Sequence, residues 1–255
     1  MQGKLIISGT ASGLGKYLHC RFGGLAWTRQ LPEADRQRAR ENGVETIIHC
    51  AFNSRGSVTS ETLHDYLADN LYLTQELAAV PHRKFIFIST VDVYPKIGHR
   101  FTEAEPIDVN AVSGIYALSK LMSESVVRSR GSEHLILRCS ALLGPDIRRN
   151  SLIKILEDDP CILTLRADSR FNYILHEDLA DFIEFAMQNG LGGTYNAASN
   201  ETVTLAAVAA EFGKTIRFGS FRYDAGDIDN RKIAVVFPAF QKNSLAVIKQ
   251  FANRR

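Results

Sequence analysis

Short apolar runs of strand length recur along the chain at residues 4–8, 24–28, 46–51, 84–89 and 134–139. Between them lie segments with helical spacing. Residues 13–21 open after glycines, residues 60–80 carry Leu63, Leu67, Leu71 and Leu77, and residues 113–130 begin with Ser113 as a helix cap. Strands that alternate with helices predict a mostly parallel sheet covered on both faces, a doubly wound α/β fold. After Leu143-Gly144-Pro145 the alternation becomes irregular, with helices expected at 151–157 and 177–188 and a loop at 190–193 before Tyr195. The pattern divides the chain into a nucleotide-binding core over 1–143 and a mixed segment over 144–255. That second segment completes the sheet and forms a small, irregular substrate-binding region, and its last thirty or so residues carry little pattern.

Composition narrows the class. Of 255 residues, 45% are hydrophobic and 23% charged, the balance of an ordinary globular chain. Thirty Lys and Arg against 28 Asp and Glu leave +2, which gives no global field for nucleic acid or an anionic membrane. The four cysteines, Cys20, Cys50, Cys139 and Cys161, form no CxxC pair and sit at no metal-ligand spacing with histidine. They read as reduced core thiols, and no metal is expected. The N-terminal apolar stretch is too short for a signal-peptide core and no later stretch approaches about 18 apolar residues, so a cytoplasmic protein is expected.

The first strand runs into Gly9-Thr10-Ala11-Ser12-Gly13-Leu14-Gly15, and a helix follows. In a strand–turn–helix unit, glycines let the backbone approach a pyrophosphate that rests on the unpaired N–H groups of the helix start. Gly9, Thr10, Ser12, Gly13, Leu14 and Gly15 are therefore expected to bind a dinucleotide; a plain tight turn uses glycine in the same way. The second strand ends near Thr28, where an NAD-preferring site places a carboxylate against the ribose 2′-hydroxyl. Arg29 stands there, with Arg36, Arg38 and Arg40 downstream. A guanidinium suits a 2′-phosphate, so NADP(H) is favoured and NAD(H) remains possible; Arg29 as a simple strand cap is the alternative.

The fourth strand reads Phe85-Ile86-Phe87-Ile88-Ser89-Thr90-Val91-Asp92-Val93-Tyr94, and Tyr116-Ala117-Leu118-Ser119-Lys120 follows downstream. Tyr116 and Lys120 share one helix face. A free phenol has a pKa of about 10, which a neighbouring ammonium and a cationic nicotinamide would lower, so Tyr116 can give a proton to a carbonyl oxygen or take one from a hydroxyl. Thr90, at the carboxyl end of a parallel strand, can hydrogen-bond the same oxygen. Taken alone, a YxxxK spacing also fits a half-buried tyrosine beside a solvated lysine.

Together these residues resemble the extended short-chain dehydrogenases/reductases, the NAD(P)-dependent sugar epimerase/dehydratase family. Further matches are Ile48-His49-Cys50-Ala51, Asn70, Leu137-Arg138, Gly144-Pro145, Arg170-Phe171 and His176-Glu177-Asp178-Leu179-Ala180. The resemblance implies a Rossmann sheet, Thr90, Tyr116 and Lys120 as catalytic residues, Lys120 also on the nicotinamide ribose, and Ala51, Asn70 and Ser89 at the cofactor. It implies substrate contacts at Asp92, Arg148, Asn150 and Arg170, the last where nucleotide-sugar members grip a diphosphate. A salt bridge between lobes is the other reading of Arg170. The glycine spacing, GxxxGxG, is that of the shorter branch of the superfamily, but Ala51-Phe52-Asn53-Ser54 lacks that branch's Asn-Asn-Ala-Gly turn. Val91 replaces the middle carboxylate of the dehydratases' Thr-Asp-Glu, which disfavours dehydration, and Asp224 stands where a second phosphate-gripping arginine is expected. His176 and Asp178 read as helix entry and capping.

The leading reading is an oxidoreductase that reduces a keto group of a nucleotide-activated sugar with NADPH. A 4-epimerase with retained NAD is the alternative, a reductase of small carbonyl compounds is a third, and a non-catalytic NADP(H)-sensing protein is the reading from another class. Resemblance also implies a homodimer through the helix that carries Tyr116, with Leu118, Leu121, Met122 and Val126 as apolar candidates.

Overall fold

The computed structural model describes residues 5–55 and 57–255. Lys4 of the first predicted strand lies outside the described residues. From the N-terminus run β1 (Leu5–Ser8), α1 (Gly13–Phe22), β2 (Leu25–Trp27), α2 (Glu33–Asn42) and β3 (Val44–His49). One continuous helical stretch follows, built from α3 (Leu63–Leu67), a π-helical turn (Ala68–Tyr72) and α4 (Leu73–Ala79). Then come β4 (His82–Thr90), β5 (Arg100–Phe101), α5 (Ile115–Ser129), β6 (Glu133–Cys139), β7 (Ala141–Leu143) and α6 (Ser151–Glu157). The remainder holds β8 (Cys161–Ile162), β9 (Arg170–Phe171), β10 (Tyr173–Leu175), α7 (His176–Gln188) and β11 (Gly193–Ala197), followed by short strands and three helices up to Ala252.

Six strands form one parallel sheet in the order β11-β6-β4-β3-β1-β2. The order reverses at β1, which lies between β2 and β3, and in open α/β sheets the crevice at such a reversal receives ligands at the carboxyl ends of the strands. Alternation along the strands fills both faces. Leu5 and Ile7 with Ile86 and Ile88 pack under α1 and α7, beside Leu14, Leu18, Leu179, Phe182 and Ile183. Ile6, Ile47, Phe85 and Phe87 face the other way, against Ala39, Leu77 and Val127 of α2, α4 and α5. Each fully buried aliphatic or aromatic side chain contributes about 1.5–3 kcal/mol of hydrophobic stabilisation, so both faces hold their helices firmly. A separate apolar cluster gathers Leu143, Leu152, Ile155, Tyr173, Leu205, Val208, Ile248 and Phe251 beyond the carboxyl edge of the sheet.

Two local readings are corrected. Helix α5 is entered through Gly114, whose φ of 87° suits glycine, and no side chain caps it, so Ser113 is not its cap. His176 begins α7 as expected, but no side chain caps that helix, and the Asp178 carboxylate is instead engaged by Lys242 Nζ at 3.0 Å.

Candidate functional site

A cleft of about 640 Å³ opens along the carboxyl edge of the sheet, lined by the loop after β1, the segment after β3, the end of β4, α5 and residues 139–150. Its floor is tied together at the first strand. Ser8 Oγ accepts hydrogen bonds from the backbone N–H groups of Cys50 and Ala51, both at 3.1 Å, and joins His49 Nδ1 at 2.7 Å. This clamp brings two loops so close that only glycine fits between them. A Cβ on Gly9, whose φ is 75°, would lie 2.7 Å from Ala51 N, and within the first loop itself one on Gly15 would lie 2.2 Å from Gly9 O. Helix α1 begins there with no side-chain cap and no acid in its first turn, which leaves N–H donors and the positive helix end directed at the cleft. These features fit a pyrophosphate. Gly9, Ser12, Gly13, Leu14, Gly15 and Ala51 all line the cleft, whereas Thr10, half-buried in the same loop, does not.

Thr90, Tyr116 and Lys120 converge at the centre. Thr90 Oγ1 accepts from Asp92 N at 3.2 Å and lies 3.4 Å from Asp92 Oδ2, and the Tyr116 hydroxyl hydrogen-bonds Thr90. Lys120 Nζ donates to Ile88 O at 2.6 Å and is almost wholly buried. Burial lowers the Lys120 pKa to about 7. Burial, with the Asp92 charge, raises the Tyr116 phenol, and its hydrogen bond with Thr90 pulls the other way. The expected lowering of the phenol by Lys120 is therefore not present in the protein by itself. Nζ lies 6.0 Å from the Tyr116 ring centroid, and partial neutrality at pH 7 weakens its field further.

Beneath the site lies a buried ionic network. Glu124 accepts from Ser89 Oγ at 2.6 Å and from Arg138 at 3.0 and 2.8 Å, and Arg138 reaches the Tyr94 hydroxyl at 2.8 Å. Ser89 lines the cleft, but its hydroxyl is spent on this network, so it offers the cleft its backbone.

The other predicted residues divide. Asp92, Arg148 and Asn150 line the cleft; Asn150 Oδ1 caps α6 by accepting from Ile153 N at 3.0 Å, and Arg148 donates to Ser54 Oγ at 3.0 Å. Asn70 is wholly buried within the π-helical turn, where it accepts from Asn53 N at 2.6 Å and donates to Asn53 O at 3.1 Å. It fixes the loop after β3 and does not face the cleft. Arg29, 81% exposed, is paired with Asp69 and does not line the cleft either. Arg170 lies outside it, bonded to Thr202 and Asp227 and 3.6 Å from Asp224, at the wall of a separate polar cavity of about 390 Å³. Two side chains at the cleft escaped the sequence reading. Tyr223 donates to Asp92 Oδ1 at 3.1 Å from 131 positions downstream, a pairing that no local pattern reveals. Phe52 packs on Tyr116 and Lys120, and its only signal was its place directly after Ala51.

Among the described residues no group of three or more His, Cys, Asp or Glu side chains is arranged to hold a metal, and no helix is long and apolar enough to cross a membrane.

Residues 27–198 match the model of the NAD dependent epimerase/dehydratase family. No curated protein sequence matches the chain significantly. Among solved structures, dTDP-4-dehydrorhamnose reductase from Yersinia enterocolitica superposes with a TM-score of 0.80 at 19% identity, over 98% of this chain and 99% of that one. The corresponding reductase from Bacillus anthracis, in complex with NADP, gives 0.80 at 17% identity with both chains fully covered. UDP-glucuronic acid 4-epimerase from Bacillus cereus, with UDP-glucuronic acid and NAD, gives 0.76 at 15% identity over 100% of this chain and 99% of that one. At these identities the likeness shows a shared fold.

Proposed function

The chain belongs to the NAD-dependent epimerase/dehydratase family, and from that premise we propose that it is an NAD(P)-dependent oxidoreductase that reduces a keto group of a nucleotide-activated sugar. The observation that carries this reading is the convergence of Thr90, Tyr116 and Lys120 in one cleft with the glycine cradle at its end. When bound there, the dinucleotide supplies the hydride. Gly9, Gly13, Leu14 and Gly15 would hold the pyrophosphate through backbone N–H groups, and Lys120 would hold ribose hydroxyls. Thr90 Oγ1 and the Tyr116 hydroxyl would orient the substrate carbonyl, and Tyr116 would hold the proton at that oxygen, the proton and a hydride together being what turns a ketone into a secondary alcohol. The raised phenol holds its proton until negative charge develops on the carbonyl oxygen. Asp92 accepts from a sugar hydroxyl, and Arg148 and Asn150 border the substrate end of the cleft.

One observation favours the second reading, a 4-epimerase with retained NAD. Arg29 is engaged by Asp69, so a 2′-phosphate must compete with that carboxylate for the guanidinium. Turnover of keto-sugar nucleotides followed by loss of NADPH absorbance separates the two. The reductase consumes NADPH, and Tyr116→Phe lowers turnover by about 100-fold or more while NADPH affinity stays within about twofold. Unchanged turnover in that variant refutes the mechanism.

A further inference from the structure

The loop after β3 lays an aromatic ring on Lys120. The Phe52 centroid is 3.7 Å from Nζ, and the same ring meets Tyr116 edge-on, with centroids 5.7 Å apart and planes at 86°. An ammonium has three N–H donors. One goes to Ile88 O, and the other close neighbours of Nζ are the rings of Phe52 and, at 4.8 Å, Phe87. Phe52 and Lys120 both line the cleft, and the ring covers one side of the ammonium there. A hydroxyl that approaches Nζ from that side meets the Phe52 ring first.

We propose that Phe52 is a positioning residue for Lys120, its ring resting on the ammonium and turning aside to release the donors on that side when a dinucleotide is loaded. The proposal rests on the dinucleotide reading above. The loop backbone is fixed on either side of the ring. Cys50 and Ala51 donate to Ser8 Oγ at 3.1 Å, and the Asn53 backbone is gripped at both its N–H and its carbonyl by Asn70. What can move is the half-buried Phe52 side chain, by rotation about its own χ angles.

Such a ring acts on the ammonium in two opposed ways. It excludes water, which disfavours the charge, and it offers a π face, which favours it. The titratable groups around Lys120 are Tyr116 and Glu124 on its own helix, His49 and Cys50 from β3 and the residue after it, and Cys139 at the end of β6. Burial lowers His49 to about 3 and raises the Cys50 and Cys139 thiols, to about 12 for Cys50. Glu124 is held charged by Arg138, and Tyr116 stays protonated. Near neutral pH, Lys120 is thus the group of this cluster that changes charge.

The experiment is pH-dependent acetylation of the full-length protein with acetic anhydride, without added dinucleotide, with Lys120 modification read by peptide mass spectrometry in the wild type, Phe52→Leu and Phe52→Ala. Leucine keeps the exclusion of water and removes the π face, so its Lys120 midpoint falls below the wild-type value of about 7. Alanine removes the same π face but also admits water, so its midpoint lies above that of Phe52→Leu. From the range of cation–π energies, the Phe52→Leu shift is about 0.4–1.5 pH units. Midpoints that coincide in all three proteins, or a Phe52→Leu midpoint at or above the wild-type value, overturn the proposal.

Fluorescence titration with NADPH is the second arm. Phe52→Ala is expected to bind about 2- to 30-fold more tightly, because no ring has to leave the ammonium. Equal or weaker binding by Phe52→Ala overturns the displacement alone, whereas absence of NADPH binding by all three proteins overturns the dinucleotide reading and the displacement with it.

Discussion

Replacing Glu124 by alanine strikes the charged network beneath the site. The Glu124 side chain is fully buried, and Arg138 beside it is 5% exposed. The carboxylate accepts two hydrogen bonds from Arg138, one from Ser89 and one from Arg128. Removing it strands the Arg138 guanidinium in the core, where an uncompensated buried charge costs about 3–5 kcal/mol. For a chain of this size each kcal/mol moves the melting temperature by about 2–4 °C, so Glu124→Ala is expected to melt about 6–20 °C below wild type. Breaking the exposed Arg38–Asp35 pair with Arg38→Ala changes stability by only about 0.5 kcal/mol. Replacing both buried partners by apolar residues, Glu124→Leu with Arg138→Met, recovers most of the loss. Burial alone would raise the Glu124 carboxyl, and the hydrogen bonds and charge of Arg138 outweigh it, so its pKa is lowered on folding. Its contribution is therefore complete above the unfolded value of about 4.3 and fades as pH falls below it, and the gap between wild type and Glu124→Ala narrows in acid. Circular dichroism melts across pH check both parts. A Glu124→Ala protein that melts within about 2 °C of wild type at pH 7 would refute the reasoning.

Two further outcomes concern the cofactor and the assembly. Arg29→Ala is expected to weaken NADPH by about tenfold, at the low end for a charge-assisted contact because the guanidinium is exposed and must leave Asp69, with NADH within about twofold; equal losses for both dinucleotides in fluorescence titrations contradict the 2′-phosphate role. We also propose a homodimer through α5 and the helical stretch before β4, where Leu118, Met122, Leu63 and Tyr72 are exposed while Leu121 and Val126 pack inward. Light scattering is expected to give twice the chain mass, reverting to one chain in Met122→Glu, and a monomeric wild type at micromolar concentration removes the proposal.

The Rossmann half was readable because its strands are long enough, and buried enough on both faces, to write apolar runs into the chain. Helix α2 is the exception there: of its ten residues only Ala39 is buried, so it has no apolar stripe to announce it. In the second half, strands such as β8 and β9 are two residues long and set no periodicity. That Thr90, Tyr116 and Lys120 would lie together was legible because spacing along one strand end and one helix fixes them. Arg170 forms the salt bridges of its other reading, and its carboxylate partners, Asp224 and Asp227, lie more than fifty positions away, so tertiary folding alone brings them to it. Asn70 was read as a cofactor ligand, but its π-helical turn directs it inward onto Asn53. Phe52 and Tyr223 act through contacts with distant parts of the chain, and apart from the place of Phe52 directly after Ala51 no local pattern marks them.

The most direct test of the reductase reading is an equilibrium titration of the purified protein with NADPH and NADH, together with mass spectrometry of any dinucleotide that co-purifies. The account expects exchangeable NADPH, bound about tenfold or more tightly than NADH. NAD retained through purification and resistant to exchange would contradict it and make the 4-epimerase the better reading.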